Sequence, residues 1–354
     1  MQEKYIYCIG LMSGTSLDGV DLAYIKMHSS LYKDFEILKA ETISYSKEWK
    51  IKLQEAITYK EKDLKELNIE YAELLGEILN NFIKTHTITN LDFVASHGHT
   101  ILHQPENGIT LQIGDGQIIA NRTQQKVVCD FRTQDVQYGG QGAPLVPIGD
   151  RLLFADYEYC VNLGGFANIS YEKNNQRIAF DICPVNIVLN HYTRIIGLEY
   201  DNEGKIASEG TINVELLERL NQLSFYKKTP PKSLGLEWVQ KNIFPLIDEY
   251  ETDIPTILRT FTEHVAVQIG NSVKKNTTIL ITGGGAFNTF LIKRIEFYAK
   301  TKIKQADKEL INYKEALIFA LLGVLKVQNK VNCLQSVTGA KKDHSSGEIF
   351  YPKK

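Results

Sequence analysis

Seven short β-rich apolar runs in this chain each stop at a loop dense in glycine, serine or aspartate. Residues 5–12 run into SGTSLDG, 93–95 into SHGHT, 110–113 into GDGQ, and 127–129 into DFRTQD and then YGGQGAP. A second series follows, in which 159–163 precede GGFANIS, 178–180 precede DICPVN and 278–282 precede GGGAFN. Between them, Leu64, Leu67, Tyr71, Leu74, Leu75, Ile78 and Phe82 recur at three- and four-residue steps, the signature of an amphipathic helix over 61–86. Strands alternating with helices and ending in Gly-rich turns specify an α/β fold, where ligands bind beyond the carboxyl ends of strands. At 354 residues the chain exceeds one ordinary core. We therefore expect two domains, 1–130 and 131–335, with the tail 336–354 packing back on the first. The stretch 313–327 is apolar on nearly every side and reads as a buried helix.

Charge narrows the partners. Forty Lys and Arg against forty-two Asp and Glu leave a net charge of −2, which offers no positive field to gather nucleic acid or an anionic bilayer. The N-terminus MQEKYIYCIGLMSGTS lacks the basic start and long apolar run of a signal peptide, and no apolar stretch reaches membrane-spanning length. Five scattered cysteines without a C-x-x-C pair suggest neither a disulfide framework nor a zinc site. A cytoplasmic protein is the expectation.

Three constellations point to chemistry. Residues 5–12 and 20–27 read as a β-hairpin with Ser13-Gly14-Thr15-Ser16-Leu17-Asp18-Gly19 at its tip. Such a tip offers unobstructed backbone N–H groups and hydroxyls to polyphosphate, and a carboxylate to magnesium. An ordinary Ser/Gly/Asp turn has the same composition. Gly164-Gly165 after one strand and Gly283-Gly284-Gly285 before a helix supply two further glycine turns, the parts needed to grip a nucleotide in a cleft between two domains. Asp181, following 178–180, is the candidate general base, or alternatively a helix-capping or turn carboxylate. Finally, Ser96, His97, Gly98, His99, Thr100, His103, Asp115, Asp130, Arg132 and Asp135 form a polar group suited to a carbohydrate, with Arg132 a fork for a carboxylate. Part of that group would serve only to fix loops. Metal ligation by its histidines is disfavoured, since no H-E-x-x-H helix is present.

The segments GLMSGTSLDGVD, SHGHTILHQP, TLQIGD, VVCDFRTQDV, GGQGAPLVP, VNLGGFANIS, ITGGGAFN and SVTGA occur in the order found in the anhydro-N-acetylmuramic acid kinases. The sequence resembles that family over nearly its whole length. The resemblance implies a two-domain fold of the sugar kinase, Hsp70 and actin type, ribonuclease H-like in each half, and a homodimer. It implies a reaction with ATP, Mg2+ and water that opens the 1,6-anhydro bond of the amino sugar and phosphorylates the released O6. Carried over by position, Gly14, Thr15, Ser16, Leu17, Asp18, Gly19, Val20 and Asp21 would meet the ATP phosphates, with Asp18 a metal ligand. Gly164 and Gly165 would form a second phosphate loop, Gly283, Gly284, Gly285 and Asn288 would lie near the adenosine, and Asp181 would be the base. Thr15, Asp18, His97, Thr100, Asp130 and Arg132 would face the sugar. One departure stands out. Where many members read F-D-T-G-P-G-N, this chain has Phe180-Asp181-Ile182-Cys183-Pro184-Val185-Asn186, so two glycines are lost and a changed loop or tighter pocket is expected. The rival readings are an ordinary sugar-hydroxyl kinase of the same fold and an ATP-driven switch without a sugar acceptor.

Overall fold

The structure is a computed structural model that describes residues 4–14 and 17–353. It divides into two compact units, Met1–Leu153 with Tyr313–Lys354, and Phe154–Asn312. The expected boundaries at 130/131 and 335/336 are displaced by long-range packing. Gly149, in the helix Val146–Leu153, lies against Ile318 of the helix Lys308–Val327, and Lys314 forms a buried ion pair of 2.7 Å with Asp150. Both flanks of the second unit thereby stay with the first.

The first unit opens with three antiparallel strands, β1 (Tyr5–Ser13), β2 (Gly19–His28) and β3 (Phe35–Ser44). Next come β4 (Phe93–Gln104), parallel to β1, then β5 (Ile109–Ile113), antiparallel to β4, and β6 (Val127–Cys129), parallel to β4. In the second unit, β7 (Tyr159–Leu163), β8 (Phe166–Lys173) and β9 (Gln176–Pro184) are antiparallel neighbours. There β10 (Ile279–Thr282) runs parallel to β7, and β11 (Ile303–Gln305) parallel to β10. Returning to the first unit, β12 (Glu348–Phe350) pairs antiparallel with β6. Laid side by side, the orders β3-β2-β1-β4-β6 and β9-β8-β7-β10-β11 are one topology used twice. That is the ribonuclease H-like arrangement, an antiparallel meander extended by parallel strands.

Hydrophobic periodicity explains the packing. The helix Glu61–Thr85 starts with Glu61 and Asp63 against its positive end and buries Leu67, Tyr71, Leu75, Leu79 and Phe82. These join Ile9, Leu11, Val20, Leu22 and Val94 in one core, each large apolar side chain contributing about 1.5–3 kcal/mol by leaving water. The helix Lys308–Val327 has Ala316–Leu322 all buried, as its composition predicts. It approaches β1 so closely that a Cβ at Gly10 would collide with the Ala316 carbonyl. The second unit is centred on the helix Ile254–Ser272, which buries Ile257, Leu258, Phe261, Val265 and Ile269 among β7, β10 and their neighbours.

Two expected loops are strand. SHGHT is not a loop after 93–95, because β4 continues through it to Gln104, paired to β1 and then β5. Gly98, at φ +73°, falls where the β1–β4 register shifts, and the ladder satisfies a backbone whose side chains are polar. DICPVN likewise does not begin beyond a strand, since β9 extends to Pro184. Ala167 pairs with Cys183 and Asn168 with Asp181, leaving Ile182 as an extra residue in a bulge. Neither Cys183 nor Val185 has a positive φ, so the two replacements of glycine impose no left-handed strain.

Candidate active site

In the first unit the site residues gather where β1 and β6 end and along the middle of β4. Gly14, Leu17 and Asp18 lie between β1 and β2, and Gly19, Val20 and Asp21 begin β2. Thr15 and Ser16 lie outside the described residues. Asp18 is exposed, whereas Asp21 is partly buried and accepts from the Thr42 hydroxyl at 2.6 Å. Desolvation raises the Asp21 pKa, the Thr42 bond opposes this, and the Asp18 charge adds to the rise, so the two carboxylates share one neighbourhood.

Ser13 ends β1 opposite His99 on β4, and their side chains meet at 2.7 Å. The contacts continue from Ser13 to Tyr45 OH at 2.6 Å and from there to Tyr71 OH at 2.5 Å, a buried polar chain beneath the hairpin tip. Burial holds His99 down to about 4, so it is neutral near pH 7. One turn of the pleat away, Arg132 Nε donates to His97 Nε2 at 3.0 Å. Burial and the Arg132 charge push the His97 pKa well below 6.5, and a neutral ring suits the acceptor role that the guanidinium demands. A second Arg132 nitrogen donates to the Gly142 carbonyl at 2.6 Å. The fork expected to await a carboxylate is thus partly engaged in holding itself in place. Thr100 accepts from Gln112 Nε2 at 3.3 Å. Asp130, at φ +57°, accepts from the Thr133 hydroxyl at 2.5 Å, a turn-fixing bond. Asp115 caps the helix Gly116–Thr123 through Gln117 and Ile118, and Asp135 is wholly buried.

Sequence reasoning missed Glu315. It is an acidic residue inside the apolar helix Lys308–Val327, with a solvent-accessible side chain. Desolvation by surrounding atoms raises its pKa, Arg132 and Lys314 lower it, and Asp21 raises it, which sets Glu315 among the charged residues of this site. A lone carboxylate in so apolar a run was the available signal.

In the second unit, Gly164 and Gly165 form the β7–β8 turn, and their carbonyls accept from Val185, Asn186 and Ile187 at the start of the helix Asn186–Ile195. Gly283, at φ +81°, and Gly285 press against Asn162 and Leu163, where a side chain would collide. Asn186, whose Nδ2 donates to the Leu163 carbonyl at 3.3 Å, bridges the two glycine turns. Asn288, expected beside an adenosine, uses its side-chain oxygen to cap the helix Thr289–Ala299 at Leu291 N, 2.9 Å.

Asp181 sits on the bulged stretch of β9 and is partly buried. Its Oδ2 accepts from Leu234 N at 2.8 Å, while its own N–H donates to the Lys232 carbonyl at 3.1 Å. Desolvation raises the carboxyl pKa against the lowering effect of the Leu234 bond. The side chain is therefore fixed in direction and more basic than an exposed aspartate. It caps no helix. Cys183, two residues on, is fully buried with its thiol pushed up by desolvation, so it packs as an apolar group.

A family model described as anhydro-N-acetylmuramic acid kinase matches residues 6–352. The chain belongs to that family. It is 34% identical over 383 residues to an anhydro-N-acetylmuramic acid kinase of Francisella tularensis subsp. novicida, covering 99% of this chain and 100% of that one. It is 32% identical to one of Bacillus cereus strain Q1, covering 98% and 100%. Among solved structures, a ROK family glucokinase from Streptomyces griseus in complex with glucose and AMPPNP aligns over 89% of this chain and 98% of its own, at 11% identity and a TM-score of 0.42. The fold assignment stands on the strand order, not on that distant likeness. None of the described helices is long and apolar enough to cross a membrane.

Proposed function

We propose that this protein is an ATP-dependent kinase that cleaves the 1,6-anhydro ring of 1,6-anhydro-N-acetylmuramic acid with water and phosphorylates O6, giving N-acetylmuramate 6-phosphate and ADP. The observation that carries the reading is Asp181, on the bulge of β9 with Leu234 N fixing its carboxylate, in a chain that matches the family from end to end. Asp181 takes a proton from water as the oxygen attacks C1. The C1–O6 bond breaks, O6 takes the bond electrons, and O6 captures the γ-phosphoryl group. O6 needs no base of its own, so one carboxylate serves both events.

Gly14, Leu17, Asp18, Gly19, Val20, Asp21, Gly164 and Gly165 are proposed phosphate-binding positions, with Thr15 and Ser16 beside them in sequence. Gly283, Gly284 and Gly285 are proposed for the adenosine, with Asn288 positioning them as a cap. His97, Thr100, Asp130 and Arg132 are proposed to recognise the sugar, together with Asp18 and Thr15. Two neighbouring carboxylates, the Asp18 charge adding to the rise of Asp21, suit a hydrated divalent cation, so Asp18, with Asp21 near it, would hold Mg2+, which when bound offsets phosphate charge. A homodimer in the cytoplasm that returns cell-wall amino sugar to metabolism is the setting this reading entails.

The test is ADP release with the anhydro sugar set against N-acetylglucosamine and N-acetylmuramic acid, run in ¹⁸O-labelled water. Label at C1 of a phosphorylated product is expected. Phosphorylation without label at C1 would replace this reading with an ordinary hydroxyl kinase, and ATP turnover indifferent to every sugar would replace it with a switch.

A further inference from the structure

One cluster in the first unit takes no part in that chemistry. Cys333 and His344 form an isolated antiparallel bridge, Cys333 N to His344 O and His344 N to Cys333 O both at 3.1 Å, which sets their side chains on one face. Asp135, from the helix Thr133–Gln137, meets that face. Its Oδ1 accepts from Cys333 Sγ at 3.0 Å and from the Thr338 hydroxyl at 2.7 Å, and its Oδ2 from Gly142 N at 2.7 Å. The three candidate ligand atoms of Asp135, Cys333 and His344 lie within 4.8 Å of one another, and all three residues are buried.

The histidine ring supplies the second observation. His344 Nδ1 contacts the Lys342 carbonyl at 3.1 Å, and since a carbonyl only accepts, Nδ1 carries the proton. Nε2 is then the nitrogen turned to the cluster, 3.6 Å from Asp135 Oδ1, and makes no hydrogen bond among the described residues although the side chain is only 4% exposed. An imidazole that gives its far N–H to a backbone carbonyl while its other nitrogen faces a thiol and a carboxylate has the orientation of a metal ligand.

We propose that Asp135, Cys333 and His344 bind a zinc ion, as three of its four ligands. Sulfur, imidazole nitrogen and carboxylate oxygen form a donor set that zinc accepts, and bond lengths of about 2.0–2.3 Å need only a modest contraction of the cluster. Binding releases the Cys333 thiol proton to solvent as the thiolate forms. The ion would tie the C-terminal segment, through Cys333 and His344, to the helix that follows Arg132.

The test uses the full chain, reconstituted with zinc, desalted, and assayed for metal by mass spectrometry. About one equivalent is expected in the unaltered protein and less than about a fifth of that in His344→Gln and Cys333→Ser. Cobalt loading of the unaltered protein should add a near-ultraviolet thiolate-to-cobalt band, a readout that does not depend on any variant folding. Failure of the unaltered protein to retain metal or to show that band would overturn the proposal, as would full retention by His344→Gln.

Discussion

Lowering the pH should weaken the second unit through one buried side chain, His264. This residue is fully buried, with Nδ1 2.8 Å from Asn221 Oδ1 and Nε2 2.9 Å from Tyr226 OH. Asn221 Oδ1 can only accept, so Nδ1 donates and Nε2 accepts from the tyrosine, a neutral imidazole with both nitrogens satisfied. Burial holds its pKa down to about 3 against an ordinary 6.5. With the folded pKa depressed, the unfolded chain binds the proton first. The stability contribution is complete above pH 6.5 and is lost as pH falls towards 3. Between pH 7 and pH 4.5 the linkage relation gives a loss of roughly 2.5 kcal/mol from this group. Trp238 lies 5.4 Å from the Phe225 ring and 6.3 Å from the Tyr226 ring, so its fluorescence reports this region. Replacing the other tryptophan, Trp49→Phe, isolates the signal. Urea unfolding at the two pH values, with and without His264→Gln, then removes by subtraction the titration of every other group. A pH-dependent difference between the two proteins below about 0.5 kcal/mol would refute the assignment of a neutral buried imidazole.

Asp181→Asn should leave ATP and sugar binding intact while lowering kcat by roughly a hundredfold or more, and near-normal turnover would show that another group takes the proton. Because desolvation raises Asp181, the acid limb of kcat/KM should lie above the usual aspartate range, with activity falling as pH drops; a pH–rate profile flat through that limb would contradict it. Gly10→Ala should destabilise the first unit by about 2 kcal/mol or more in urea unfolding followed by Trp49, since the new methyl meets the Ala316 carbonyl, which cannot rotate away. A cost under about 0.5 kcal/mol would mean that the helix Lys308–Val327 shifts freely.

Local signals proved legible where the physics is local. The three- and four-residue spacing predicts the helix Glu61–Thr85 to within a residue, and the glycine clusters mark the turns after β1, β7 and β10. The capping alternative raised for aspartates holds for Asp115, whereas Asp181 caps no helix and instead accepts from the loop nitrogen of Leu234. Sequence reasoning failed where pairing partners lie far along the chain. SHGHT looks like a loop by composition, yet β1 and β5 recruit it into a ladder. The unit boundaries moved because residues 131–153 find their partners in 313–327, a contact no local pattern announces. The meeting of Asp135 with Cys333 and His344 was hidden for the same reason, a tertiary approach over more than 150 residues, and the role of Glu315 showed locally only as a carboxylate in an apolar run.

The interruption of the first unit by the second has a bearing on biogenesis. Everything that Phe154–Asn312 needs in order to close its sheet leaves the ribosome as one stretch, so the later-encoded half can be finished first. The earlier-encoded half must wait with β6 uncovered along one edge until Glu348–Phe350 emerges to seal it. Nascent chains stalled just short of that strand should therefore be the species most prone to edge-to-edge association.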